Sequence, residues 1–265
     1  ATADAAELAG VDFTQFLSLE QAQEIRVGVA GMSETVFQQI VDDTEKQVGR
    51  ALTPEEADAI RTEFVDAVGD PQAIAAVFNA QGIETVFIDS SVSPVTGTDT
   101  FTPLEYGFQD SFDRFMVSLG ENAPLSSLAD VAAFNSEDLA NRAPYGQAYV
   151  EGSVNTAITA EAYAAMKEES MQSSAAALRG LFEEYGVDII AFRVYTQEYA
   201  PAGFPALAVP DGLATNGQPV SVVLVGDYLS EPQLLSVGYA YEQEAQGRVE
   251  PDMNSRMQEL APVAP

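Results

Sequence analysis

The side chains able to do covalent or acid–base chemistry are few in kind. Histidine and cysteine are absent from the 265 residues, and Lys46 and Lys167 are the two lysines among eleven basic residues. Without histidine there is no imidazole base and no imidazole metal ligand; without cysteine there is no thiolate nucleophile, no disulfide and no thiolate metal site. A Ser-His-Asp triad, a Cys-His pair and a zinc hydrolase site cannot be built from such a chain. Carboxylate chemistry, serine or lysine chemistry, and binding remain.

The carboxylates themselves point to surface duty. Glu168-Glu169 and Glu183-Glu184 are adjacent pairs within helical sequence, and neighbours on a helix diverge in direction, so neither pair makes a facing acid/base couple. Asp42-Asp43, Asp58, Asp66 and Asp70 lack the alternating spacing of a calcium loop, and no metal or cofactor is expected. Lys46 and Lys167 sit in charged helical contexts, Glu45-Lys46-Gln47 and Lys167-Glu168-Glu169, which predicts exposure rather than the desolvation a catalytic lysine needs. Gly28-Val29-Ala30-Gly31, after one strand and before a helix, has the outline of a phosphate cradle, but it lacks the third glycine and the Lys-Ser/Thr of a phosphate loop. A plain strand end is the preferred reading.

Acidic residues number 41 against 11 basic ones, a formal charge of −30. Phosphate backbones and anionic lipid surfaces are bound by clustered Lys and Arg, so nucleic acid and membrane are not expected partners. Self-repulsion of this size is relieved by a short Debye length, which suits a soluble protein in a salty, secreted, periplasmic, marine or halophilic setting. No run approaches the ~20 apolar residues that cross a bilayer.

The elements that must position these residues alternate between strand and helix. Ile25 to Val29 and Ile83 to Ile88 read as buried strands. Between them Thr53-Pro54-Glu55-Glu56 is a capping box with proline at the first helical position, and Asp70-Pro71 starts a second helix that Gly82 stops. Thr102-Pro103-Leu104-Glu105 repeats the cap, and Phe108, Phe112, Phe115, Met116 and Leu119 form a wide apolar face expected to pack into the core before Gly120. A long helix from about Thr159 to Tyr185-Gly186 feeds the apolar run Val187 to Phe192. Ala206 to Val209 and Val220 to Val225, joined through Thr215-Asn216-Gly217, predict a hairpin, followed by a helix capped at Ser230-Glu231-Pro232-Gln233. With no repeat or linker, residues 1–265 read as a single α/β domain: a mixed β-sheet flanked by helices.

Against that frame the segment Ala202-Gly203-Phe204-Pro205-Ala206-Leu207-Ala208-Val209-Pro210 resembles the A-G-[YLF]-P-[AS]-x-x-[VS]-P stretch of the amidase signature family. Gly217-Gln218-Pro219-Val220 through Gly226 resembles that family's G-x-P-V-G-x-x-x-x-G strand. Leu234-Leu235 through Ala240-Tyr241-Glu242-Gln243 resembles its closing L-L-x-x-x-x-A-Y-E-Q helix. Upstream, Asp12 to Leu17 with Ile25 to Val29 resembles the stretch just after the catalytic core. Leu125 to Asp130 with Pro144-Tyr145-Gly146-Gln147 resembles segments of the peptide-amidase branch. The order is the family's throughout, so the resemblance implies the C-terminal portion of the amidase signature fold.

The resemblance also implies a chemistry that needs no histidine: a serine nucleophile, activated through a second serine by a lysine, beside a Gly/Ser-rich oxyanion loop. The Gly-Gly-Ser-Ser-Gly-Gly-Ser type loop is absent here, and neither lysine can stand in, so no catalytic residue is assigned within the chain. Gly203, Phe204 and Pro205 are the candidate substrate-lining residues, because in the family this segment enters the sheet beside the active site; a tight backbone passage into a core strand is the alternative. Gln147 is a further candidate for bonding a substrate amide, with capping of a neighbouring loop the preferred role. Two departures stand out: only Arg193 to Pro201 bridges what is a longer loop in the family, and Ser221 replaces its usual glycine. The implied partners are a catalytic N-terminal half, in the same gene or on a separate chain, and a small amide or peptide amide. A stand-alone noncatalytic binding domain descended from an amidase is the competing reading.

Overall fold

A computed structural model describes residues 17–31, 33–89, 102–193 and 198–251. In chain order the elements are α1 (Leu19–Gln23), β1 (Val27–Gly31), α2 (Glu34–Val48), α3 (Pro54–Val68), α4 (Pro71–Ala80), β2 (Thr85–Asp89), α5 (Thr102–Ser118), a 3₁₀ turn (Gly120–Asn122), α6 (Leu128–Ser136), α7 (Leu139–Arg142), α8 (Ala148–Val154), α9 (Ala160–Tyr185), β3 (Ile189–Phe192), α10 (Tyr199–Ala202), β4 (Ala206–Leu213), β5 (Pro219–Gly226) and α11 (Glu231–Ala245). They fall into two compact units. One holds the described residues up to 89 together with 178–199 and 204–251, and the other holds 102–177 and 200–203.

The first unit is built on a five-stranded mixed sheet in the order β2-β1-β3-β5-β4. β1 runs parallel to both β2 and β3, whereas β3–β5 and β4–β5 are antiparallel, the latter being the expected hairpin. Every residue of β1 and β3 is buried, which is why their sequences are unbroken apolar runs rather than alternating ones. Register places Val29 beside Ala191 and Ala191 beside Leu224. Val27, Val29, Ile189, Ala191, Val222 and Leu224 therefore share one face, where they join Ile74 and Phe78 of α4 and Leu234, Val237, Ala240 and Tyr241 of α11 in one core. Each fully buried large side chain contributes roughly 1.5–3 kcal/mol.

Local signals set the helix boundaries. Thr53 accepts from the Glu56 amide while the Glu56 carboxylate accepts from the Thr53 amide, so the capping box forms as read. Asp70 caps α4 through the Gln72 and Ala73 amides, and Gly82 follows with φ +78°. The helix expected after Gly31 and around Lys46 is Glu34–Val48, whose bounds were not read from the sequence: Ser33 caps it through the Val36 amide and Gly49 ends it at φ +72°.

Two expected helix starts differ in detail from the reading. Ser230 occupies the N-cap of α11, but its side chain makes no cap bond, and its Oγ is instead buried without a partner. A Cβ on Gly226 would lie 2.1 Å from that Oγ, so close approach of the strand end holds the hydroxyl inward. α5 starts at Thr102 itself, and the residue before it lies outside the described set, as do Asp12 to Phe16 of the upstream match and residues 194–197 of the short loop.

In the second unit α5 packs on α8, and α6 packs on α7 and α8. The Leu128 amide donates to Asp113 at 2.7 Å, tying the start of α6 to α5. Tyr106 packs against Tyr163, with ring centroids 4.7 Å apart and planes tilted by 30°. The apolar face of α5 corrects the sequence expectation: Met116 is buried, but Phe108, Phe115 and Leu119 are exposed by 45%, 57% and 38%. Periodicity identified an apolar stripe, which is a statement about one helix; whether anything covers it is decided by the neighbours.

Candidate functional site

The A-G-F-P segment sits where α10 hands the chain to β4. α10 ends on Gly203, whose φ of +72° is left-handed; a Cβ there would meet nothing within 4 Å, so the backbone conformation alone requires glycine. Phe204 turns inward and is 5% exposed, and its amide donates to the Tyr199 carbonyl at 2.9 Å. Pro205 donates no amide hydrogen, and its carbonyl accepts from Gly226 at 3.3 Å.

Phe204 is held from two sides. Its ring stacks on Phe182 with centroids 6.4 Å apart and planes 20° apart. The Arg179 guanidinium lies 5.0 Å from the Phe204 ring centre and grips the Asp227 carboxylate with contacts of 2.9–3.2 Å. Hydrogen bonding to Arg179 holds the Asp227 carboxyl below its ordinary value and raises the arginine's. Both partners are about half exposed, so this pair orients more than it stabilises. Arg179, Phe182 and Asp227 carried no signal in the sequence, because nothing local links α9 to the end of β5.

Behind the hairpin is a second cluster. Arg193, just after β3, is paired with the Asp211 carboxylate of β4, and the Tyr241 hydroxyl of α11 donates to the other Asp211 oxygen at 2.6 Å. Tyr241 is fully buried and packs on Phe78 at 4.8 Å between ring centres. Burial, then the Asp211 carboxylate, pushes its phenol far above the ordinary value. Tyr241 is the tyrosine of the A-Y-E-Q match, and its role here is to anchor β4 to α11. β4 needs the anchor because its pairing with β5 is irregular between Pro210 and Leu213.

Gln147 lies in the second unit and is 8% exposed. Its amide nitrogen faces the Ala132 carbonyl, Ser136 Oγ and Glu151 Oε1 at 3.0–3.3 Å. With two amide hydrogens for three acceptors, no donor is left over. Of the sequence-derived candidates, Phe204 and Pro205 belong to the sheet unit, and Gly203 and Gln147 to the helical one.

The remaining candidates resolve into packing. A Cβ on Gly28 would lie 2.5 Å from Ile88 Cδ1, and one on Gly31 would lie 2.5 Å from the Pro71 ring. Both glycines thus permit close approach, and Glu34 in the first turn of α2 repels anions. Lys46 is 71% exposed and paired with Asp43, whose hydrogen bond raises its pKa, whereas a lysine base requires the opposite shift. Among the acidic residues read from the sequence, Asp70 is a helix cap and Asp66 accepts from Thr215. Among the described residues no group of three or more His, Cys, Asp or Glu side chains is placed to hold a metal ion, and no helix is long and apolar enough to cross a membrane.

No protein-family profile matches the chain. Short stretches match the A subunit of glutamyl-tRNA(Gln) amidotransferase: 46% identity over 57 residues with that of Lachnospira eligens, covering 22% of this chain and 12% of that protein. With that of a Synechococcus strain, identity is 49% over 45 residues, covering 17% and 9%. Among solved structures, an amidase family protein from Bacillus anthracis superposes with a TM-score of 0.68 at 26% identity, over 92% of this chain and 43% of that one. The peptide amidase of Stenotrophomonas maltophilia superposes with a TM-score of 0.64 at 20% identity, over 96% and 51%, a likeness of fold. The chain thus spans about half the length of the solved relatives it matches. A mixed sheet with the family's strand-and-helix order, and short stretches of high identity, relate this chain to the amidase signature family, as a part of its members' length that fits a C-terminal portion.

Proposed function

We propose that this chain is the C-terminal portion of an amidase-family hydrolase acting on carboxylic amides, completing the substrate cleft while the serine–serine–lysine machinery is supplied by residues outside these 265. The observation that carries the reading is the match over 92% of this chain to 43% of an amidase family protein, in a sequence with no histidine, no cysteine and two lysines. Both lysines are exposed, and the hydrogen bond to Asp43 raises the Lys46 pKa and so holds its ammonium protonated. In this reading Gly203, Phe204 and Pro205 form one wall of the cleft: Gly203 offers exposed backbone, and Phe204 is locked by Phe182 and Arg179. Gln147 holds α6 to α8, since its amide hydrogens already face protein acceptors. The substrate class is a small amide or a peptide amide, as the name of the Stenotrophomonas relative suggests. The acidic surface favours a soluble setting of high ionic strength, away from nucleic acid and membrane.

The second reading, a noncatalytic binding domain of amidase descent, is favoured by the short bridge from Arg193 to Pro201. The two separate in an assay of simple carboxamide hydrolysis. The expected result is no turnover by the 265-residue chain and turnover by the complete natural gene product or two-chain complex. Turnover by the purified chain that vanishes when one of its own serines is replaced overturns the first reading. An inert complete product supports the second.

A further inference from the structure

The helical unit lacks the interior that the sheet unit has. Among the described residues between 102 and 177, Met116 and Leu128 are the buried large aliphatic side chains, and the other buried positions include Gln147, Ser153, Ser170 and Ser174. The same stretch exposes Leu104 by 62%, Phe108 by 45%, Phe115 by 57% and Leu119 by 38%. At 3.6 residues per turn, spacings of i, i+4, i+11 and i+15 confine these four side chains to a sector of roughly 60° along α5 and the residue that follows it, Leu119, whose backbone is still αR. The Asp110–Arg114 ion pair lies on a different side of the helix. Scattered exposed apolar residues are ordinary, but an aligned aromatic and aliphatic stripe over a unit this poor in core marks a surface meant to be covered.

Resting on the reading of the chain as part of a larger amidase, we propose that the Leu104–Phe108–Phe115–Leu119 stripe of α5 is the docking surface for the stretch of amidase-fold polypeptide that the solved relatives possess and these residues lack. Those relatives carry about as much chain again beyond the part matched here, since 92–96% of this chain corresponds to 43–51% of theirs. A second copy of this chain is the poorer occupant. The stretch 102–177 bears eleven acidic residues against three basic ones, and two copies of so acidic a unit repel on approach. The covering segment presents an apolar surface with fewer acidic groups, whether joined to this chain or on a separate one.

The test places a photoreactive benzoylphenylalanine at position 115, with Lys167 as the exposed control position, in the protein expressed from its own locus in the natural host. Cross-linked peptides are read by mass spectrometry. The expected product at 115, above the control, is a peptide that aligns with the relatives' remaining half. A second copy of this chain, an unrelated protein, or no product above control overturns the inference. The double variant Phe108→Glu/Phe115→Glu changes only exposed positions and is expected to reduce recovery of that segment in the complex at least tenfold; if the two are one polypeptide, it is expected to abolish protection of α5 from hydrogen exchange. Unchanged recovery or protection counts against the docking surface. A cross-linked but inert complex refutes the hydrolase reading and leaves the docking surface standing, whereas an active complex without the cross-link does the reverse.

Discussion

Replacing Tyr241 by phenylalanine removes one oxygen from the centre of the sheet unit and leaves the ring. The hydroxyl donates at 2.6 Å to Asp211, the side chain is 0% exposed, and the ring's contact with Phe78 at 4.8 Å is untouched by the change. The loss is therefore that of one hydrogen bond to a carboxylate whose side chain is 18% exposed, about 1.5–3 kcal/mol. At 2 kcal/mol the folded-to-unfolded ratio falls ~30-fold, and Tm falls by roughly 4–8 °C for a chain of this size. Tyr241→Ala removes the ring as well and is expected to cost a further 3 kcal/mol or so. Urea titration at pH 7 measures both. The pH dependence supplies an independent check. The folded phenol titrates far above its unfolded value near 10, so the native state holds the proton more tightly. Its contribution is complete below about pH 10 and is lost as pH rises beyond it. Wild type is thus expected to lose stability more steeply above pH 10 than Tyr241→Phe. A phenylalanine variant within 0.5 kcal/mol of wild type, with the same alkaline slope, would refute the anchor.

Three further outcomes follow from the geometry. Ser230→Ala is expected to be neutral within about 0.5 kcal/mol or slightly stabilising, because the Oγ is buried and unpartnered; a loss near 1 kcal/mol in urea titration would mean that the hydroxyl caps α11 in solution. Gly31→Ala brings a methyl to 2.5 Å from Pro71, and the expected destabilisation is ~1–3 kcal/mol by overpacking; a neutral result would contradict the packing role, and inorganic phosphate is expected to leave the wild-type Tm unchanged. Glu56, bonded first by Arg50 and then by the Thr53 amide, titrates at about 2 instead of 4.5. Its stabilising contribution is present above about pH 4.5 and declines as pH falls toward 2, so Glu56→Gln should flatten that part of the acid-unfolding curve; an unaltered curve would show that the fork to Arg50 is not held.

Much of the sheet unit was legible because its determinants are local or periodic. Threonine and aspartate caps accept from amides two or three residues away and the proline that follows presets the first helical turn, so Thr53-Pro54 and Asp70-Pro71 placed α3 and α4 correctly. Continuous apolar runs marked β1 and β3, since a strand covered on both faces has no polar side to show. Reading failed where the outcome depends on a partner distant in sequence. Ser230 has the residue type of a cap, yet the approach of Gly226 decides where its hydroxyl goes. Arg179 and Asp227 meet across 48 positions, and Asp211 and Tyr241 across 30; neither contact has a local signature.

The candidate site divides along the same line. Sequence by itself determined what chemistry is unavailable, because a missing imidazole or thiol is a fact of composition that no fold can repair. It also determined the strand-and-helix order that the amidase relatives share. Tertiary structure decided that Phe204 is a buried, clamped ring, that the Gln147 amide nitrogen faces acceptors on α6 and α8 while its Oε1 is buried without a partner, and that the apolar face of α5 is left open. Amphipathicity fixes which side of a helix avoids water, but only the elements brought beside it determine whether that side is satisfied.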